Sequence, residues 1–142
     1  MLKKIFLSSD HGGFRLKELI KDLLIKNNYT LKDLGCFSLD AVDYPDYAKL
    51  LSDKLETDSK AQGILFCGTG IGISMAANRF THVRAALCTS IEMASKSRKH
   101  NNANVLALGG RILEENLAFD IVNEFLNTDF EAGRHSIRVD KI

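Results

Sequence analysis

Gly63-Ile64-Leu65-Phe66-Cys67-Gly68-Thr69-Gly70-Ile71-Gly72-Ile73-Ser74 joins an apolar run of strand length to a glycine turn and then to a helix-compatible segment. A strand over 64–67 that feeds a helix over 71–78 through Gly68, Gly70 and Gly72 aims several backbone N–H groups outward at a helix start. Such a turn favours an anion. It also favours thiolate over thiol in a cysteine beside it. The spacing is G-x-G-x-G, not the G-x-G-x-x-G of dinucleotide-binding turns, and no Walker lysine follows. Ile73 and Ser74 stand where a cysteine phosphatase loop would carry its arginine. By itself the loop reads as a seat for an anion or an oxyanion.

Outward from this turn the chain alternates strand-like and helix-like segments. A short apolar strand, Ile5–Ser9, is turned by Gly12 and Gly13 into a helix with Leu16, Leu19, Ile20, Leu23 and Leu24 on one face. Asn27 and Asn28 end it, since Asn tolerates the left-handed turn at a helix C-terminus. A weaker strand over 31–34 stops at Gly35. Asp43-Tyr44-Pro45 starts a helix with proline in its first turn, where the missing N–H costs nothing; Ala48, Leu51 and Leu55 form its stripe. A strand over 84–88, a helix around Ile91–Lys99 and a strand over 104–108 follow, closed by Gly109-Gly110. A last long helix carries Leu113, Leu117, Ile121, Val122 and Phe125 inward. The tail from 131 is polar and basic, with Arg134, His135, Arg138 and Lys141.

Five strands joined by helices predict an α/β protein: a three-layer α/β/α, Rossmann-like doubly wound fold with a five-stranded parallel sheet and a C-terminal helix and tail. Ligands of such sheets bind beyond the carboxyl ends of the strands. Asp10-His11, residues 67–72 and Cys88-Thr89 are therefore expected on one sheet edge.

The 142 residues are 45% hydrophobic and 26% charged, the proportions of a soluble globular protein, and the length predicts a single domain over 1–142. A net charge of +1 gives no electrostatic case for nucleic acid or an anionic membrane. Cys36, Cys67 and Cys88 are an odd number at wide spacing, which argues against a disulfide framework and fits a reducing cytoplasm. Met1-Leu2-Lys3-Lys4-Ile5-Phe6-Leu7 is too short an apolar run for a signal peptide or membrane span. No His, Asp or Glu set has convincing metal spacing, so no metal is expected.

Cys67 is the first chemical candidate. Most free cysteines are buried and inert, and Cys36 and Cys88 are read that way; the glycine turn sets Cys67 apart. Asp10-His11-Gly12-Gly13 is a second candidate, a carboxylate and an imidazole placed to meet a phosphate or a sugar hydroxyl. His100-Asn101 precedes the fifth strand. Arg134, His135 and Arg138 close the set, with Arg111 a possible companion, because guanidinium groups clamp phosphate well. The basic tail follows the last helix and is free to reach across a subunit boundary.

Taken together these residues resemble the ribose-5-phosphate isomerase B family, whose wider group includes the galactose-6-phosphate isomerase subunits. The likeness covers essentially the whole chain. It runs through Ser9-Asp10-His11-Gly12-Gly13, Asp43-Tyr44-Pro45, the stretch from Cys67 to Ser74, Ala77-Asn78-Arg79-Phe80, Ser97-Arg98-Lys99-His100-Asn101, Gly109-Gly110-Arg111 and Gly133-Arg134-His135 with Arg138.

The resemblance implies interconversion of an aldose phosphate and a ketose phosphate, most simply ribose 5-phosphate and ribulose 5-phosphate, without a cofactor. It implies Cys67 as the base; Met75 and Ala76 offer none of the glutamate that some relatives use. His100 would open the sugar ring, Asp10 orient hydroxyls, and Asn101 bind the enediolate or a sugar oxygen. The Gly68, Thr69, Gly70, Ile71 and Gly72 loop would hold the oxyanion. His11, Arg111, Arg134 and Arg138 would hold the phosphate, with Tyr44 and Thr69 in support. The site would lie between two subunits of a homodimer or a dimer of dimers. A six-carbon sugar phosphate (galactose 6-phosphate or allose 6-phosphate) is the alternative substrate. A non-catalytic sugar-phosphate-binding module is a further one, but it would need neither Cys67 nor His100.

Overall fold

The structure, a computed structural model, describes residues 3–142; Met1 and Leu2, which begin the N-terminal run read above, lie outside the described residues. Five strands alternate with helices: β1 (Ile5–Ser9), α1 (Phe14–Lys26), β2 (Leu31–Asp33), α2 (Tyr44–Thr57), β3 (Gln62–Cys67), α3 (Ile71–Ala77), β4 (Ala85–Leu87), α4 (Ile91–Lys99), β5 (Val105–Gly109), α5 (Glu115–Asn127) and α6 (Arg134–Val139). All strand pairs are parallel, in the order β2-β1-β3-β5-β4. The three-layer doubly wound fold expected from the sequence is the fold observed.

Alternation along each strand divides the core in two. Ile5, Leu7, Ile64, Phe66, Leu106 and Leu108 face α1, α4 and α5, where Ile20, Leu24, Ala94, Ile121, Val122 and Phe125 meet them. Phe6, Leu65, Cys67, Val105 and Ala107 face α2 and α3, with Ala48, Leu51, Leu55, Ile73 and Ala77. Helices on both faces explain why the central strands read as continuous apolar runs.

The local signals place the elements well and their ends less well. Asn28 ends α1 in the left-handed region at φ 66°. Asp43 is the N-cap of α2, with Pro45 in its first turn. β3 begins two residues before Ile64, because Gln62 already pairs with Ile5. β4 keeps only three residues of the expected strand. Leu113 lies before α5, which Glu114 caps through its own carboxylate. The tail is not simply a solvated basic run: residues 134–139 form α6, and the Glu131 N–H donates to the Lys99 carbonyl at 3.1 Å, bringing the tail against the end of α4.

Among the described residues one charged group is fully buried. Lys17 of α1 is 0% exposed, and its Nζ reaches the Asp33 carboxylate of β2 at 2.7 Å and Glu18 at 2.9 Å. Asp33 also accepts the Gly35 N–H at 2.9 Å, so this cluster ties α1 to the start of the loop after β2. No helix among the described residues is long and apolar enough to cross a membrane.

Candidate active site

Three neighbouring strands, β1, β3 and β5, bring their C-terminal loops together. The Gly110 N–H donates to the Cys67 carbonyl at 2.8 Å and the Arg111 N–H to the Gly68 carbonyl at 2.9 Å. A Cβ on Gly13 would lie 2.4 Å from the Phe66 carbonyl carbon, and one on Gly109 would lie 2.6 Å from the Thr69 oxygen. Side chains at these positions would force the loops apart, which is the physical reason the sequence is glycine here.

Cys67 ends β3 and is 4% exposed. Its Cβ belongs to the apolar layer against α2 and α3. Its Sγ turns into the glycine loop, where the Gly70 N–H donates to it at 3.0 Å. Gly70 has φ 79°, a left-handed conformation that reverses the chain and points its amide back at the sulfur. The Ile71 N–H donates to the Thr69 Oγ1 at 3.2 Å. Within the loop those two amides are occupied, and the N–H groups of Gly68, Thr69 and Gly72 have no acceptor among the described residues. They are the donors left for an incoming oxyanion.

The remaining groups of this edge surround the loop. Asp10 is buried, and its Oδ1 accepts the Gly13 N–H at 3.0 Å. His11 Nδ1 accepts the Val42 N–H at 3.2 Å, which leaves Nε2 to carry the proton of the neutral ring. The Arg111 guanidinium lies over Gly68, 3.3 Å from where its Cβ would be. The Tyr44 ring, at the start of α2, covers Gly72 at 2.7 Å by the same measure. Asp10, His11, Tyr44, residues 67–72 and Arg111 therefore form one cluster. Cys88 and Thr89 sit on this edge at the end of β4, but burial pushes the Cys88 thiol up to about 11, against the opposing Ser97 hydrogen bond.

His100, Asn101, Arg134 and Arg138 lie elsewhere in the same chain. α4 starts at Ser90, beyond the end of β4, and returns across the sheet to end at His100, ahead of the start of β5. His100 therefore sits at the opposite edge from Cys67, about the length of a five-residue strand away, roughly 15 Å. α6 packs beside it: the His100 and His135 rings stack, with centroids 4.2 Å apart and planes 12° from parallel. Asn101 is exposed and borders a hollow of about 390 Å³ with Arg84, Ala103 and Ile142.

The sequence groups His135 with Arg134 and Arg138 and gives it no separate role. Its signal was present in Gly133-Arg134-His135, but the stack forms only because α6 folds onto α4. Burial against its surroundings and repulsion from His100, Arg134 and Arg138 hold His135 below the usual imidazole range, with Glu131 opposing. Nitrogens of His100 and His135 and an oxygen of Glu131 lie within 4.8 Å of one another. The rings are parallel, so their in-plane lone pairs run side by side instead of meeting, and Glu131 stands 3.9 Å from His135 Nε2. A chelated ion needs ligands converging at about 2 Å, and this trio is a stacked pair with an acid at its edge.

The chain is similar to known proteins along nearly its whole length. The family model described as Ribose/Galactose Isomerase matches residues 5–142. The chain is 42% identical over 141 residues to the ribose-5-phosphate isomerase B of Escherichia coli, covering 99% of this chain and 95% of that one. A crystal structure of a ribose 5-phosphate isomerase from Thermotoga maritima superposes with a TM-score of 0.96 at 47% identity, over 98% of this chain and 96% of the other. The Mycoplasma genitalium ribose-5-phosphate isomerase B, in a structure with bound ribulose-5-phosphate, gives a TM-score of 0.95 at 45% identity, over 99% and 94% of the two chains. With the full run of residues matched and the loop cluster in place, the chain belongs to the ribose/galactose isomerase family and is an isomerase.

Proposed function

We propose that this protein interconverts ribose 5-phosphate and ribulose 5-phosphate, in a site built from two copies of the chain. The observation that carries this reading is the Cys67 sulfur held 3.0 Å from the Gly70 N–H, beside amides with no acceptor among the described residues. The sulfur is the base. It takes the proton from C2 of the open-chain aldose and returns it to C1, while the carbonyl oxygen becomes an enediolate oxygen. A donor at the sulfur stabilises its negative charge. The Gly68, Thr69 and Gly72 amides meet the developing oxyanion, and one such donor is typically worth about 3 kcal/mol in related chemistry.

Ribose 5-phosphate enters as a closed ring, so an acid–base group must open it before C2 is reactive. His100 fills that role, with Asn101 bonding a sugar oxygen. One chain holds Cys67 and His100 at opposite edges of its sheet, too far apart for one pentose. A second copy in the reversed orientation brings the His100 edge of one chain to the Cys67 edge of the other. Arg134 and Arg138 then join His11 and Arg111 around the phosphate. Asp10, fixed by the Gly13 amide, orients the sugar hydroxyls, and Tyr44 walls the loop.

Coupled assays with ribose 5-phosphate, galactose 6-phosphate and allose 6-phosphate on the wild type and Cys67→Ala test the reading. Turnover should be fastest on the pentose phosphate, and Cys67→Ala should lose most of it while still binding substrate. Near-normal turnover by that variant removes Cys67 as the base. Faster turnover of a six-carbon phosphate removes the pentose assignment.

A further inference from the structure

The tail carries one imidazole that the reaction above does not use, and it is in face-to-face contact with one that it does. His135 stacks on His100 at 4.2 Å with a 12° tilt. The contact joins two elements that are otherwise linked through the Glu131–Lys99 backbone hydrogen bond. The His135 side chain is only 11% exposed. Glu131 reaches its Nε2 edge from the preceding loop, and Arg134 and Arg138 flank it on its own helix.

The loop carrying His100 is clamped from behind. Arg98 is buried; its Nε donates to the Thr128 carbonyl at 3.0 Å, and its Nη1 donates to the Asn102 Oδ1 and to the Ala103 carbonyl. These bonds fix the backbone on either side of residue 100. They leave the His100 side-chain torsions unset, and no hydrogen bond among the described residues holds the ring nitrogens. The stack is the contact that defines the plane of the ring.

We propose that His135 is a positioning residue for ring opening, holding the His100 imidazole in the plane from which it exchanges a proton with the sugar ring oxygen. This rests on the ring-opening role given to His100 above. A flat neighbour removes rotational freedom that an unsupported imidazole would have to lose in the transition state. An unprotonated partner does this best, because a second cation at stacking distance would repel the acid it supports.

Chemistry supplies the discriminating readout. Ribulose 5-phosphate has its O5 esterified, so it cannot close a five-membered ring and reaches the enediolate without ring opening. Solvent-deuterium incorporation at C1 of this ketose reports Cys67 chemistry alone. Ribose 5-phosphate turnover reports ring opening as well. For His135→Ala the expectation is a roughly tenfold or greater fall in kcat on ribose 5-phosphate, an unchanged KM, and unchanged deuterium incorporation. His135→Phe, which keeps a flat ring, should recover most of the loss.

An equal fall in both readouts, or a rise in KM that Phe does not rescue, overturns the positioning role in favour of a folding or phosphate-binding one. His100→Ala separates this failure from that of the underlying reading. If His100→Ala loses ribose 5-phosphate turnover selectively and His135→Ala does not, the inference alone fails. If His100→Ala is itself unselective, the ring-opening role of His100 falls, and the inference falls with it.

Discussion

The Gly70 amide donates to the Cys67 sulfur three residues behind it, and the left-handed φ of 79° at Gly70 is what aims it. An L side chain at this position costs about 1–2 kcal/mol in backbone strain. Its Cβ would also stand 2.7 Å from Leu87 Cδ1 and 2.9 Å from the Leu108 carbonyl carbon. Gly70→Ala should therefore lower the thermal midpoint and cut kcat by one to two orders of magnitude through the misplaced donor. Activity that survives at wild-type level in a folded Gly70→Ala protein would show that this hydrogen bond is irrelevant to turnover.

A two-copy site makes a mixing prediction. Cys67→Ala and His100→Ala chains should each be nearly inactive as homodimers. Unfolded and refolded together in equal amounts, half of the dimers carry one wild-type site, so activity should return to about one quarter of the wild type. No recovery on mixing, with heterodimers demonstrated by native mass spectrometry, would place both groups in a single chain's site.

Arg138 tests the phosphate clamp. Phosphate does not change charge during the isomerisation, so its contacts act alike in the ground and transition states. Arg138→Ala should raise KM about tenfold or more with a smaller effect on kcat. Steady-state kinetics that leave KM unchanged remove Arg138 from the site.

The buried Lys17 cluster predicts an acid-sensitive stability. Burial alone would raise the Asp33 carboxyl, but hydrogen bonds from Lys17, the Gly35 amide and Lys21 more than reverse this, and the net shift is downward. Glu18 also shifts downward, through Lys21 and Lys17 acting against its burial. A carboxyl lowered on folding contributes stability above its unfolded value, near 4, and loses it as pH falls through the folded value. Urea unfolding should show this loss as pH falls below about 4. Asp33→Asn should lose roughly 3 kcal/mol at neutral pH, because it leaves Lys17 buried with a weakened partner, and its stability should fall less steeply with acid.

His135 titrates below the usual imidazole range, through burial and then through repulsion by His100 and the neighbouring arginines. His100→Phe keeps a flat ring in the stack and removes one of the repelling charges. The His135 midpoint, followed by NMR of the imidazole protons, should move up in that variant. A midpoint that stays put would show that the two rings are not electrically coupled.

Sequence alone determined the layers and the loop. Helical spacing of Leu16, Ile20 and Leu24 marked α1, and the apolar runs over 5–9 and 64–67 marked central strands, because a parallel strand covered on both faces must be apolar at successive positions. The glycine turn after Cys67 was legible for a similarly local reason: left-handed backbone and close approach both exclude side chains. Local pattern also placed Asp10, His11 and Cys67 on one edge, since strand direction fixes which end of a parallel sheet a loop occupies.

Tertiary structure decided which candidates meet. That Arg111 lies over Gly68 while Arg134 and Arg138 lie with His100 depends on the return of α4 across the sheet and on α6 folding against its end. The division of the loop amides between the Cys67 sulfur, the Thr69 hydroxyl and open donors depends on backbone angles that composition does not encode. The His100–His135 stack joins residues 35 apart in sequence through contacts between two helices, and long-range contacts of that kind leave no periodic trace in the chain.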